Sequence, residues 1–81
     1  MTKNRQESEQ TALLTTLRRI RREAGVTQEA LARKLGQPQS FVSKYEAGER
    51  RLDILEVRQV CHALGLSLFE FVKRFEESLR P

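Results

Sequence analysis

The sequence is poor in the residues that staple or metallate small proteins: among 81 residues there is one cysteine, one histidine, no tryptophan and one tyrosine. A lone cysteine cannot close an intramolecular disulfide, and one histidine without further thiols offers no metal-ligand spacing, which excludes disulfide scaffolds and zinc sites. Apolar residues never run long. No stretch approaches the roughly 20 residues that span a bilayer, and the opening MTKNRQESEQ lacks the apolar core of a signal peptide. There is no glycine-rich phosphate loop, internal repeat or low-complexity tract. No pairing of a nucleophile with a base and no carboxylate dyad suggests an enzyme. These absences point to a cytoplasmic protein that works by binding, with no cofactor, no metal, no membrane contact and no small-molecule ligand.

What is present begins with charge. Lysine and arginine total 15 against 11 acidic residues, a mild excess of +4, but its placement is uneven. Between Arg18 and Arg51 stand nine basic and four acidic residues, a net of +5; the first 17 residues sum to zero and the last 30 to −1. A middle segment of this kind attracts a polyanion through summed Coulomb forces and counterion release. The same pattern also serves as an ordinary solvated face. A chain this short makes one domain with a compact core and little room for a deep cavity.

Hydrophobic spacing predicts five helices and no strand. Residues 1–10 show no periodicity and read as a flexible polar tail; residues 11–66 form a core unit, and 67–81 a C-terminal amphipathic helix covering it. From about Thr11, the residues Leu13, Leu17, Ile20 and Ala24 recur at helical steps, and Gly25 follows as a C-terminal cap. Thr27 caps a second helix, with Val26 placed to staple onto Leu31, and Gly36 stops it. Pro38 suits the first turn of a third helix, in which Val42 and Tyr45 point inward and which Gly48 ends. Asp53 and Glu56 form a capping box for a fourth helix, with Ile54, Val57, Val60, Cys61 and Leu64 as its apolar positions. Ser67 and Glu70 repeat the device for a fifth, which runs to about Leu79. Cys61 reads most simply as a small core residue, with a redox-sensing thiol as the alternative, and His62 as solvated.

The second and third helices, joined across Gly36-Gln37-Pro38, make a helix-turn-helix candidate, with Leu31, Ala32, Leu35, Val42 and Tyr45 where the shared core needs them. Over about residues 13–66, in LRRIRREAGVTQEALARKLG, QSFVSKYEAGERR and a helix ending in ALG, the sequence resembles the Cro and phage-repressor (XRE-like) helix-turn-helix regulators. The resemblance implies an all-α, five-helix fold and binding to double-stranded operator DNA as a dimer on a two-fold symmetric site.

The third helix opens with amides and hydroxyls because a major groove is read through patterns of donors and acceptors. The Gln39 amide matches adenine N6 and N7, and Lys44, about one and a half turns on and on roughly the same face, suits guanine O6 or N7. The resemblance assigns base contacts to Gln39, Ser40 and Lys44. Phe41 lies between them, either against a thymine methyl or half-buried over the second helix. The resemblance also places Thr27 and Gln28, at the start of the second helix, on phosphate, where free N–H groups and the helix dipole favour an anion. Ser43, Arg50 and Arg51 are further phosphate candidates. Arg21 and Glu46 match a family ion pair across the domain. Three positions depart from the family pattern: Pro38 replaces the usual capping residue, Glu49 a frequent lysine, and Leu52 a common proline.

In the C-terminal helix the apolar band exceeds one face, so Phe71, Phe75 and Leu79 are candidates for a homodimer contact. The function expected is a sequence-specific transcriptional regulator, most simply a repressor that blocks polymerase by occupancy. The alternatives are an antitoxin or a restriction-modification controller that also binds a protein partner. An antitoxin commonly adds a toxin-neutralising segment, and only about 15 residues follow Gly65.

Overall fold

The structure, a computed structural model, describes residues 4–81. It contains five α-helices: α1 Arg5–Glu23, α2 Gln28–Leu35, α3 Gln39–Glu46, α4 Ile54–Ala63 and α5 Leu68–Ser78. No strand occurs among the described residues.

The first helix is longer than its hydrophobic spacing indicates. Arg5 to Gln10, expected as tail, are helical, because local polar bonds replace the missing apolar repeat. The Asn4 side chain accepts from the Glu7 amide at 2.8 Å, Arg5 pairs with Glu9 at 3.6 Å, and the Thr11 hydroxyl donates to the Glu7 carbonyl at 3.0 Å. Residues 1–3 of that segment lie outside the described residues.

All five helices meet in one core. Leu14, Leu17 and Ile20 of α1, Leu31 of α2, Val42 and Tyr45 of α3, Val57, Val60 and Cys61 of α4, and Phe71 of α5 are buried together. Each large side chain of this set contributes about 1.5–3 kcal/mol by leaving water. Helix α2 packs on α3 and α4, α1 on α3 and α5, and α4 on α5, so α3 is backed by α1 and α2 while its other side stays open. At eight residues, α2 and α3 are too short to persist without this support.

The turn between α2 and α3 is set by Gly36, whose φ of +66° lets the amides of Gly36 and Gln37 reach back to the carbonyls of Arg33 and Ala32. A Cβ there would meet nothing within 4 Å, so the requirement comes from the backbone angle and not from space. Pro38 occupies the N-cap position of α3, one residue earlier than its expected place in the first turn. Its extended backbone (φ −68°, ψ 155°) starts the helix, but its ring supplies no acceptor for the first amides. Both expected capping boxes are closed. Asp53 Oδ1 accepts from the Glu56 amide at 2.8 Å while Glu56 Oε1 accepts from Asp53 at 3.0 Å, and Ser67 with Glu70 does the same. Ile54, expected to face inward, is 66 % exposed, because the first turn of α4 reaches past its neighbours to the rim of a groove.

Candidate nucleic-acid interface

The open side of α3 starts at its amino end. With Val42 and Tyr45 locked inside at 0 % exposure, the helix is fixed in rotation and presents Gln39, Ser40 and Lys44 to solvent. At about 100° per residue, Gln39 and Lys44 stand roughly 140° apart, so they mark the two edges of one outward arc. Ser40 and Ser43 lie between them, and the Ser43 hydroxyl donates to the Ser40 carbonyl at 3.3 Å. Because Pro38 offers no side-chain acceptor, the leading amides of α3 also point at the surface without one, as a small positive field.

Phe41 sits apart from this arc. It is half-buried, its ring meets Tyr45 edge-on with centroids 5.7 Å apart, and the Arg50 guanidinium lies 4.7 Å above its face. One side of the ring is thus used in the protein's own packing against Tyr45 and Arg50.

The start of α2 is built around a buried ion pair. Arg21 donates to Glu46 from Nε at 2.7 Å and from Nη2 at 3.0 Å, and from Nη1 to the Val26 carbonyl at 2.8 Å. The side chains are 9 % and 4 % exposed. Burial pushes the Glu46 carboxyl up, but the hydrogen bonds from Arg21 and Gln28 and the charge of Arg18 hold it below its ordinary value. The hydrogen bond to Glu46 raises Arg21 further against its own burial. The pair expected from the sequence is therefore bidentate and fixes α1 to α3.

Gln28 belongs to this network: its Nε2 donates to Glu46 Oε1 at 3.0 Å. With its side chain held by Glu46, the phosphate contact expected at this residue falls to the backbone N–H at the head of α2. Thr27 is exposed and caps α2 by accepting from the Ala30 amide at 3.0 Å, which leaves its hydroxyl hydrogen free to donate.

The two arginines of the α3–α4 loop separate. Arg51 is exposed, as is Lys44 on α3, and among the described residues neither forms an ion pair. Arg50, expected on phosphate, is committed elsewhere: Nη2 donates to Glu56 Oε2 at 2.8 Å and Nη1 to Glu56 Oε1 at 3.2 Å and to the Arg51 carbonyl at 3.1 Å. The spacing of Glu56 predicts a capping role only. The six-residue spacing across an irregular loop gives no signal of the second.

Two further expectations change with burial. Phe71 is 1 % exposed and belongs to the core, so it cannot serve as a direct dimer contact. Phe75 is half-buried and lines a groove of about 290 Å³ with the exposed Ile54 and Val72, while Leu79 and Leu55 are exposed elsewhere on the surface. Cys61 is wholly buried, and burial pushes its thiol up to about 11, which keeps it protonated and unreactive.

Comparison with known proteins bears on this arrangement. The family model HTH_3, described as helix-turn-helix, matches residues 17–71. The HTH-type transcriptional regulator y4dJ of Sinorhizobium fredii is 35 % identical over 60 residues, covering 74 % of this chain and 78 % of that protein. Among solved structures, an XRE-family like protein from Pseudomonas syringae pv. tomato is 40 % identical, with a TM-score of 0.85 over 93 % of this chain and 92 % of the other. The restriction-modification controller protein C.Esp1396I is 25 % identical, with a TM-score of 0.82 over 88 % and 93 % of the two chains.

Proposed function

Since this chain belongs to the helix-turn-helix family HTH_3, we propose that it is a DNA-binding transcriptional regulator, acting by binding and not by catalysis, whose α3 reads base edges in a major groove. The observation that carries this reading is the exposed first turn of α3, where Gln39 and Ser40 stand clear of the domain on a helix whose opposite side is fully buried. Gln39, Ser40 and Lys44 take the base edges. Thr27, the N–H groups heading α2, Ser43 and Arg51 take phosphates, which set register without reading sequence.

The regulator acts as a homodimer on a palindromic operator. Phe75 and Leu79, with Ile54, Leu55 and Val72, form the contact, and the two copies of α3 are set about one DNA turn, roughly 34 Å, apart. It represses by covering a promoter. The likeness to a restriction-modification controller of similar length favours one second reading, in which the same dimer controls genes of such a system.

Footprinting on the DNA upstream of its own gene at stated salt, with sedimentation to give the mass of the protein, tests both levels. A protected site with two-fold symmetry and a dimer are expected. A protein that ignores all DNA at low salt would refute DNA binding; a monomer on an asymmetric site would refute only the dimer.

A further inference from the structure

We propose that Arg50 is a positioning residue for the reading helix, which ties the α3–α4 loop to α3 and α4 instead of contacting the phosphate backbone. Its guanidinium joins three pieces of chain. It lies over the Phe41 ring of α3 at 4.7 Å, donates to the carbonyl of the next loop residue at 3.1 Å, and holds both carboxylate oxygens of Glu56 in the first turn of α4, at 3.2 and 2.8 Å. The planar fork of arginine meets both demands at once, stacking through its face and pairing through its edge.

The loop needs such a grip. The amides of Arg50, Arg51 and Leu52 donate no hydrogen bond to the backbone, and the segment Ala47–Leu52 contains no proline to stiffen it. Glu56 is itself held, since Oε1 also accepts from the Asp53 amide in the α4 capping box. Phe41 is held in turn by Tyr45, which is wholly buried. A chain of fixed contacts thus runs from the core through Phe41 and Arg50 to the cap of α4. It sets where the outward arc of α3 stands relative to Arg51, the neighbouring arginine left facing solvent.

This inference rests on α3 being the DNA-reading helix, and three substitutions, one charge-conserving and two charge-removing, separate the roles of Arg50 by sign. Affinity for the operator found by footprinting is measured against salt, at a temperature where thermal unfolding shows every variant folded. For a positioning residue, Arg50→Ala weakens binding about ten-fold with the salt slope of the parent, and Arg50→Lys, which keeps the charge but loses the fork and the stack, does not restore it. Glu56→Gln, whose amide oxygen still accepts from Asp53, also weakens binding, although it removes a negative charge from the vicinity of DNA. For a phosphate contact the pattern inverts: Arg50→Lys rescues, the salt slope of Arg50→Ala drops by about one, and Glu56→Gln tightens binding by releasing the arginine. That pattern overturns the proposal. Backbone ¹⁵N relaxation of residues 49–52 gives a DNA-free readout, with faster motion expected in Arg50→Ala and unchanged order overturning the grip. If the parent binds no DNA at all, the reading of α3 fails, a result distinct from either pattern.

Discussion

Helices α4 and α5 each open on a closed capping box, whereas α3 opens on a proline with no side chain to receive its first amides. The difference divides the molecule by purpose. Each box spends two side chains on a helix end, α2 is capped by Thr27 alone, and at α3 the first amides and the amide of Gln39 are left without a side-chain acceptor. Arginines divide the same way. Arg21, Arg50 and Arg74 are tied to Glu46, Glu56 and Glu23, while Arg51 and Lys44 stand exposed near the open face of α3.

If the division is right, changes to the self-satisfied part alter stability, and changes to the open part alter affinity alone. The largest effect is expected from Glu46→Ala, which strands the buried Arg21 guanidinium and half-buried Gln28. A loss of about 3–5 kcal/mol is expected, enough to lower the Tm by more than 10 °C in a domain of this size. Acid should mimic it. The Glu46 carboxyl in the folded protein lies below its ordinary 4.5, so its contribution is present above that value and is lost as the pH falls through and below it. Melting curves from pH 7 to 3.5 should therefore show a larger drop for the parent than for Glu46→Ala; equal drops would remove the pair from the account.

A smaller loss, about 1 kcal/mol, is expected for Ser67→Ala at the head of α5. DNA affinity measured on the folded fraction should not change, and a drop there would mean that α5 bears on the reading surface. Smallest of all is Tyr45→Phe. The buried Tyr45 hydroxyl has no hydrogen-bond partner among the described residues, so removing it should leave the Tm unchanged or raise it slightly. A fall of more than about 1 kcal/mol would reveal a partner such as a buried water.

The sequence states the central part of this architecture in local chemistry. Thr27, Gly36, Asp53 with Glu56, and Ser67 with Glu70 each act within a few residues of themselves, and each lies where its spacing indicates. The amino-terminal extension of α1 escaped because it is held by Asn4, an Arg5–Glu9 pair and a threonine, with no apolar repeat to announce it. Ile54 fits the repeat of α4 but lies in its exposed first turn. Phe71 and Phe75 share one apolar band, and only the packing of α5 decides that the first is core and the second rim. Around α3, Gln39, Ser40, Lys44 and Arg51 lie exposed. Gln28 and Phe41 are half-buried and Arg50, although exposed, is ion-paired, because Gln28 and Arg50 meet Glu46 and Glu56, and Phe41 meets Arg50, across chain segments whose approach only the folded helices define.

Everything proposed for α3 depends on its open first turn reading bases through Gln39. The most direct measurement is the affinity of the parent and of Gln39→Ala for the operator and for each single base-pair variant of one half-site, at one fixed salt concentration. The expected result is a cost of about 1–3 kcal/mol confined to one base pair, where the variant loses its preference, with discrimination elsewhere and the Tm both intact. A uniform weakening across every base pair, or no change at any, would contradict it.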